Sequence, residues 1–119
     1  MAFRFESLEI WKSAIDYADD LYEIAKKFPQ EEKFSLTNQL QRAAVSISNN
    51  IAEGSGSATN KNFSSFLDIS IKSTLETVNI LYFAKKRNYV VEHERQVLYD
   101  KAELLIKQIR SFKNTRSKP

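Results

Sequence analysis

The chain has 119 residues, of which 42% are hydrophobic, and it carries a net charge of +3. This length suits one domain with a single core, and the hydrophobic content excludes an intrinsically disordered chain. With two glycines, two prolines and no cysteine, the composition favours helices over sheet and excludes disulfides, thiolate zinc sites and cysteine nucleophiles.

A first amphipathic helix is predicted over residues 7–28. Its apolar residues form two stripes in which spacings of three and four alternate, as expected for a wide buried face. Pro29 follows directly and ends the helix. Four acidic residues share the opposite face, where solvation is the ordinary role and a weak magnesium site is the alternative: Asp16, Asp19, Asp20 and Glu23.

The segment from Leu40 to Gly54, LQRAAVSISNNIAEG, makes up most of a second helix predicted over residues 35–53. Ser35 is the expected N-cap, and Gly54 is the expected C-terminal cap. Apolar residues recur at helical spacing with small residues between them, which allows neighbouring helices to approach closely. The polar residues of this segment that could face a partner are Gln41, Arg42, Asn49, Asn50 and Glu53.

A third helix is predicted over residues 60–87, with Thr59 or Asn60 as its N-cap. It carries more apolar surface than a small bundle readily covers. One stripe suits the core and consists of Phe63, Leu67, Ile71, Leu75, Val78 and Tyr82. The adjacent strip is either the edge of a wide core face or an oligomer interface, and it consists of Phe66, Ile69, Ile80 and Phe83.

A fourth helix is predicted over residues 92–112, followed by a basic, solvated tail at residues 113–119. Leu98, Ala102, Leu105 and Ile109 mark its buried face by their four-three-four spacing. Short connections make consecutive helices antiparallel neighbours. The sequence therefore predicts an all-α fold, with one domain over residues 1–119 that forms an antiparallel up-down-up-down four-helix bundle.

Positive charge is concentrated in the last third of the chain. Residues 85–119 contain ten Lys or Arg and four Asp or Glu, whereas the first 84 residues contain eight and eleven. Such a surface attracts nucleic acid, an anionic membrane or an acidic protein patch, although cations that end a helix also stabilise its dipole. The candidate nucleic-acid-binding residues are Arg42, Lys72, Lys85, Lys86, Arg87, Arg95, Lys101, Lys107 and Arg110, with Tyr89 and Tyr99 as candidates for base stacking.

No catalytic motif is recognisable in the sequence. His93 is the single histidine, and there is no Glu-x-x-His pair, phosphate-binding loop or Gly-x-Ser-x-Gly turn. We therefore expect a protein that is not an enzyme, with no catalytic residue, no metal and no cofactor.

The first ten residues, MAFRFESLEI, contain no long apolar run. We expect neither a signal peptide nor a membrane anchor, and no membrane partner. Because the chain also lacks cysteine, we expect a cytoplasmic location.

The chain resembles the bacterial four-helix-bundle proteins that are encoded within intervening sequences of 23S ribosomal RNA genes. The resemblance covers residues 5–112, and its strongest part is the stretch QLQRAAVSISNNIAEG at residues 39–54. Further matches are residues 8–12, Phe28 and Pro29, Glu32, Phe34, Leu36, Thr37, Phe63, Phe66, Leu67, Ser73 and Tyr89. Four positions depart from the family pattern. The family often has arginine where this chain has Gln41, proline in place of Ser48, glutamate in place of Asn62 and glycine in place of Lys72.

The resemblance implies a bundle that assembles as a ring, a homopentamer. The chain is also similar to the accessory protein of diversity-generating retroelements, a basic pentameric bundle that associates with reverse transcriptase and nucleic acid. By this analogy we expect a non-catalytic oligomer that binds RNA or DNA electrostatically. The alternative is a scaffold whose surplus apolar stripes bind another protein, with no nucleic-acid role.

Overall fold

The structure, a computed structural model, describes residues 2–117. Its helices are α1 (Glu9–Ala25), α2 (Leu36–Ser55), α3 (Asn60–Lys86) and α4 (Glu92–Ser117), with short 3-10 helices at Arg4–Ser7 and Gln30–Glu32. No residue in this described range is in a strand, so the predicted all-α class is confirmed.

The four helices form an elongated bundle of 48 × 25 × 21 Å. Each helix packs against its neighbours in sequence, and α1 also packs against α4, in agreement with the predicted up-down-up-down arrangement. All four helices contribute to one core. Its most deeply buried large side chains are Leu21, Leu40, Ile47, Ile51, Phe63, Leu67, Leu81, Leu105 and Ile109.

The beginning of α1 differs from the prediction. Leu8 has an extended backbone, with φ −81° and ψ 123°, which separates the 3-10 turn at Arg4–Ser7 from the helix. Therefore α1 begins at Glu9 instead of residue 7. It ends at Ala25, and a turn over residues 26–28 leads to Pro29.

The helix caps are made by side chains that only partly match the sequence-based expectation. The hydroxyl of Thr59 accepts a hydrogen bond from the backbone N of Asn62 at 3.1 Å, so Thr59 caps α3. Ser35 precedes α2 but makes no capping bond. Instead, Glu32 Oε1 accepts from the backbone N of Leu36 at 3.3 Å and from the Ser35 hydroxyl at 3.0 Å.

Gly54 lies inside α2, so the prediction that it caps this helix is wrong. The helix continues to Ser55, and Gly56 is the C-cap. A Cβ atom at position 54 would lie 2.7 Å from Phe66 Cβ and 2.8 Å from Phe63 Cδ1, far closer than van der Waals contact. Glycine is needed here because α3 crosses directly over the backbone of α2.

The end of α4 is helical through Ser117, past the predicted boundary at Phe112. Lys113 Nζ forms an ion pair with Asp68 Oδ1 at 2.6 Å, and the Arg116 guanidinium lies 4.4 Å from the ring centre of Phe112. These contacts anchor a segment that was predicted to be a solvated tail. The last two residues of that predicted tail, Lys118 and Pro119, lie outside the described residues.

Buried hydroxyl groups connect α1 and α3 inside the bundle. The Thr77 hydroxyl donates to the Thr74 carbonyl at 2.6 Å, so the Tyr17 hydroxyl, 2.8 Å from Thr77 Oγ1, acts as the donor to it. Burial raises the pKa of Tyr17 to about 12, because the phenolate form would lose its hydration. A further buried hydroxyl, that of Ser70 on α3, donates to the Ile47 carbonyl of α2 at 2.9 Å.

Candidate functional site

Arg95 is a structural residue and not an exposed cation. Only 5% of its surface is exposed, and its Nε donates to Glu92 Oε1. The guanidinium carbon lies 4.2 Å from the ring centre of Tyr82 and 5.5 Å from that of Tyr99, which are cation–π distances. The hydrogen bond to Glu92 is the main reason that the pKa of Arg95 is raised. A side chain held in this way is not available to a phosphate, so the predicted binding role of Arg95 is corrected.

Two more predicted cations are partly neutralised by carboxylates of other segments. Lys85 Nζ lies 3.1 Å from Glu92 Oε2, and Lys101 Nζ lies 2.6 Å from Asp20 Oδ2 of α1. Both lysine side chains are about half exposed. Exposed ion pairs are weak, typically worth about 0–1 kcal/mol, so these lysines remain accessible but contribute less local positive charge.

Arg87 occupies the C-cap of α3, where it interacts with groups from the α3–α4 connection. A hydrogen bond with Tyr89 is the main reason that the pKa of Arg87 is raised, with smaller contributions from Glu32 and Glu31. Tyr89 itself donates from its hydroxyl to Glu32 Oε2 at 2.7 Å. Arg87 is exposed, whereas Tyr89 is half buried and serves the fold.

The remaining five predicted cations are exposed, and within residues 2–117 none of them has an ion-pair partner within 4 Å. Lys72 and Lys86 lie on α3, and Lys107 and Arg110 lie one turn apart on α4. Arg42 lies on α2. The set consists of Arg42, Lys72, Lys86, Lys107 and Arg110.

A groove between α3 and α4 brings two of these cations together. It has a volume of about 250 Å³, with an apolar floor and a charged rim. Leu75 lines its α3 side and is 51% exposed, and Tyr82, further along α3, is 49% exposed, although both were predicted to lie in the core. The residues that line this α3–α4 groove are Leu75, Val78, Tyr99, Glu103, Ile106, Lys107 and Arg110.

The predicted apolar strip on α3 is only partly exposed. Ile69 and Phe83 are 44% and 54% exposed, and Phe66 is half buried where it packs beside Gly54. Ile80 is 4% exposed and belongs to the core, so its assignment to an interface is corrected. The accessible part of the strip therefore consists chiefly of Ile69 and Phe83.

The polar residues of α2 share a second concave surface, which sequence reasoning recognised only as scattered polar groups. Tyr22 of α1 forms one side of this surface. Its volume is about 470 Å³. We call this surface the α2 polar face, and its lining residues are Tyr22, Asn38, Gln41, Arg42, Val45, Ser46, Asn49, Asn50 and Glu53.

The acidic residues of α1 are solvated or paired in the structure. Asp20 pairs with Lys101, and Glu23 Oε1 lies 3.1 Å from Lys26 Nζ. Across residues 2–117, no group of three or more acidic, histidine or cysteine side chains could hold a metal ion. His93 is exposed in the first turn of α4. No helix in the same range is long and apolar enough to cross a membrane.

The fold and its surfaces define a small all-α four-helix-bundle protein with one basic groove and one polar face. The model of the family described as 23S rRNA-intervening sequence protein matches residues 6–111, and the chain belongs to this family. This confirms the resemblance noted in the sequence.

A solved structure from Bacteroides thetaiotaomicron has a similar fold. It is a protein of unknown function from the S23 ribosomal protein family, with a TM-score of 0.79 and 21% sequence identity. The alignment covers 87% of this chain and 96% of that chain. A search of curated protein sequences finds no significant match.

Proposed function

We propose that this protein is a non-catalytic bundle that binds RNA or DNA electrostatically through cations of α3 and α4. The observation that carries the proposal is the pair Lys107 and Arg110, which lie exposed and one turn apart at the rim of the α3–α4 groove. Neither residue has an ion-pair partner within the described part of the chain. Glu103 is the one acidic residue that lines the same groove.

Phosphate binding explains why these cations would matter more than the paired lysines. A cation that already contacts a carboxylate must give up or share that contact before it binds a phosphate. Lys107 and Arg110 do not carry this cost, and Lys72 adds positive charge on the exposed surface of α3. Binding of this kind is driven largely by counterion release and is independent of sequence.

The test compares two double variants that change the net charge equally. Lys107→Gln with Arg110→Gln removes the groove cations, whereas Lys12→Gln with Lys26→Gln removes one lysine of α1 and the lysine at its C-cap, which pair with Glu9 and Glu23. Affinity for a labelled RNA is measured by fluorescence anisotropy at low salt. We expect the groove variant to bind about tenfold more weakly and the α1 variant to bind nearly as well as the native protein.

Equal losses in the two double variants would contradict the proposed site, because affinity would then depend on net charge alone. Absence of any RNA or DNA binding by the assembled native protein at low salt would contradict the nucleic-acid function itself.

We also propose that the protein self-assembles, with a ring of five chains as the expected form. The exposed apolar side chains of Ile69 and Phe83, on the same side of α3, support this proposal, since exposed apolar side chains that the core does not require often lie at interfaces. The proposed cytoplasmic location is compatible with such an assembly. In a ring, the modest basic surface of each chain would be repeated around the axis and would bind a long nucleic acid at several points.

Light scattering tests the assembly against the 13.8 kDa mass of a single chain. The variant Ile69→Glu with Phe83→Glu should lower the measured mass, because each new carboxylate would be desolvated in the interface. Leu104→Glu is the control, since Leu104 is 58% exposed on α4 near α1. A native mass of 13.8 kDa at high concentration, or an unchanged mass in the double variant, would contradict this assignment.

The second candidate function is a scaffold that binds another protein. Phe34, which is 86% exposed in the α1–α2 connection, favours it because this side chain is not needed for the core. Co-purification of a specific protein that survives nuclease treatment and is lost in Phe34→Ser would support the scaffold. If nuclease treatment instead releases the co-purified protein, nucleic acid holds the two together and is the primary partner.

A further inference from the structure

The α2 polar face is a candidate recognition surface that the electrostatic proposal does not use. It lies on the outer side of α2, and only Arg42 and Glu53 carry charge among its lining residues. It brings the five residues that the sequence predicts could face a partner into one concave surface with Tyr22 of α1: Gln41, Arg42, Asn49, Asn50 and Glu53. The segment from Leu40 to Gly54 therefore has a polar outer side as well as a close-packed inner side.

Most hydrogen-bonding groups of this face are available. Asn50 is held in place, because its Nδ2 donates to the Ser46 carbonyl at 2.8 Å and to Ser46 Oγ at 3.1 Å. Within residues 2–117, the side chains of Gln41, Arg42 and Asn49 make no hydrogen bond to the rest of the protein. These three side chains present amide and guanidinium groups to solvent at fixed positions along one helix.

The asparagines on the α2 polar face are poor choices for a helix surface that is only solvated. Asparagine is a poorer helix former than Glu, Lys, Gln or Arg, yet Asn38, Asn49 and Asn50 all lie in α2. Asn38 and Asn49 are exposed, so packing does not require them. Departures from local propensity of this kind are expected where a surface has a binding role.

We propose that the α2 polar face binds unpaired bases of a single-stranded nucleic acid through hydrogen bonds to the base edges. This inference rests on the proposed nucleic-acid function and adds a sequence-reading surface to it. The amides of Gln41 and Asn49 can each donate and accept at once, which matches adenine, whereas Arg42 matches guanine. Tyr22, which is 39% exposed, provides a ring on which a base can stack.

The chemistry of the face favours unpaired bases over other occupants. In an RNA duplex the Watson–Crick edges are paired and the Hoogsteen edges lie in a deep, narrow groove, whereas single-stranded RNA presents both edges to side chains. A protein partner would be expected to bury apolar side chains at the centre of its interface. Here the exposed apolar contribution is limited to Val45 and Tyr22, which are 38% and 39% exposed.

The experiment selects RNA from a randomised single-stranded pool with the native, full-length protein and sequences the bound molecules. The test variant is Gln41→Ala with Asn49→Ala, and the control is Asn62→Ala with Asn79→Ala, which removes two exposed amides from α3. All four changes place alanine, a strong helix former, on or near a helix surface, so the fold should be retained.

We expect the native protein and the α3 control to enrich a common sequence motif. The α2 variant should bind that selected RNA at least about tenfold more weakly while its affinity for unselected RNA stays unchanged, because loss of either one of its two bidentate contacts corresponds to a factor of this size. The same RNA annealed to its complement should lose the preference.

Three results would overturn the inference, and they differ in what they say about the proposed function. RNA binding without any enriched motif would leave an electrostatic binder and remove the reading surface. A change in the mass of the α2 variant by light scattering would identify the face as a protein–protein contact. No RNA binding by the native protein would remove both the proposed function and this inference.

Discussion

The α2 polar face and the α3–α4 groove are both exposed and concave, yet they differ in the residues that line them. The 20 residues of α2 include two charged side chains, whereas the 26 residues of α4 include ten. Charge acts over several ångströms and attracts any phosphate backbone, while amides act only on contact and depend on geometry. The difference suggests that the α3–α4 groove provides affinity for the phosphate backbone, whereas the α2 polar face distinguishes one base from another.

The two surfaces also differ in how closely the helices pack beneath them. The α2 polar face lies on a helix that α3 approaches at van der Waals contact over Gly54. The α3–α4 groove instead has partly exposed floor residues, including Leu75, and a buried Arg95 beside it. Close packing against α3 fixes the backbone from which the amides of α2 project, whereas the cations of α4 lie at the ends of longer and more flexible side chains.

The largest expected effect on stability comes from disrupting the close contact between α2 and α3. Gly54→Ala places a Cβ 2.7 Å from Phe66 Cβ, and this overpacking should lower the free energy of unfolding by about 1–3 kcal/mol. Gly56→Ala is the matched control, because the nearest atom to its Cβ is the Glu53 carbonyl oxygen at 3.5 Å. Urea denaturation of the two variants measures the difference. Equal stabilities would show that α2 and α3 can separate at little cost.

A second prediction distinguishes the two kinds of cation on α4. Arg95→Met removes the bond to Glu92 and the contact with Tyr82, so it should lower the free energy of unfolding by about 2 kcal/mol. Lys107→Met changes an exposed residue and should stay within about 0.5 kcal/mol of the native protein. Stability is measured by urea denaturation and RNA affinity by anisotropy. An Arg95 variant that keeps its stability but loses RNA affinity would reverse our assignment.

A third, smaller effect concerns the hydroxyl chain between α1 and α3. Tyr17→Phe should lower the free energy of unfolding by about 1 kcal/mol at neutral pH, because the bond to Thr77 is lost. The pKa of Tyr17 is about 12 in the fold, compared with the ordinary 10.0. The advantage of the native protein is therefore complete below pH 10 and declines as the pH rises towards 12. Denaturation of both proteins at pH 7 and pH 11 measures this decline, and a constant difference would contradict it.

The sequence was sufficient for the helices because apolar spacing reports the buried side of each one. Leu40, Ile47 and Ile51 recur at helical spacing, and all three are fully buried. Gly54 was misassigned because a glycine near the end of a helix suits either a cap or a close contact. Only the path of α3 over α2 distinguishes these two roles, and that path is a tertiary property.

The candidate site was less predictable because helical spacing does not show how the edges of two helices meet. Arg95 occurs in a charged stretch and has the pattern of a surface residue, yet Tyr82 and Tyr99 from two different helices enclose it. Ile80 belonged to an apolar strip in the sequence and is buried in the bundle. In contrast, Lys107 and Arg110 are exposed, as expected for charged residues outside the buried stripe of α4.

The most direct measurement of the central claim is the dependence of RNA affinity on salt concentration. The logarithm of the association constant should fall linearly with the logarithm of the salt concentration, with a slope of about −0.7 for each phosphate bound on a single strand. Lys107→Gln with Arg110→Gln should therefore make the slope shallower by about 1.4, whereas Gln41→Ala with Asn49→Ala should leave it unchanged. A native slope near zero, or an equal slope in the native protein and the groove variant, would contradict electrostatic binding at the α3–α4 groove.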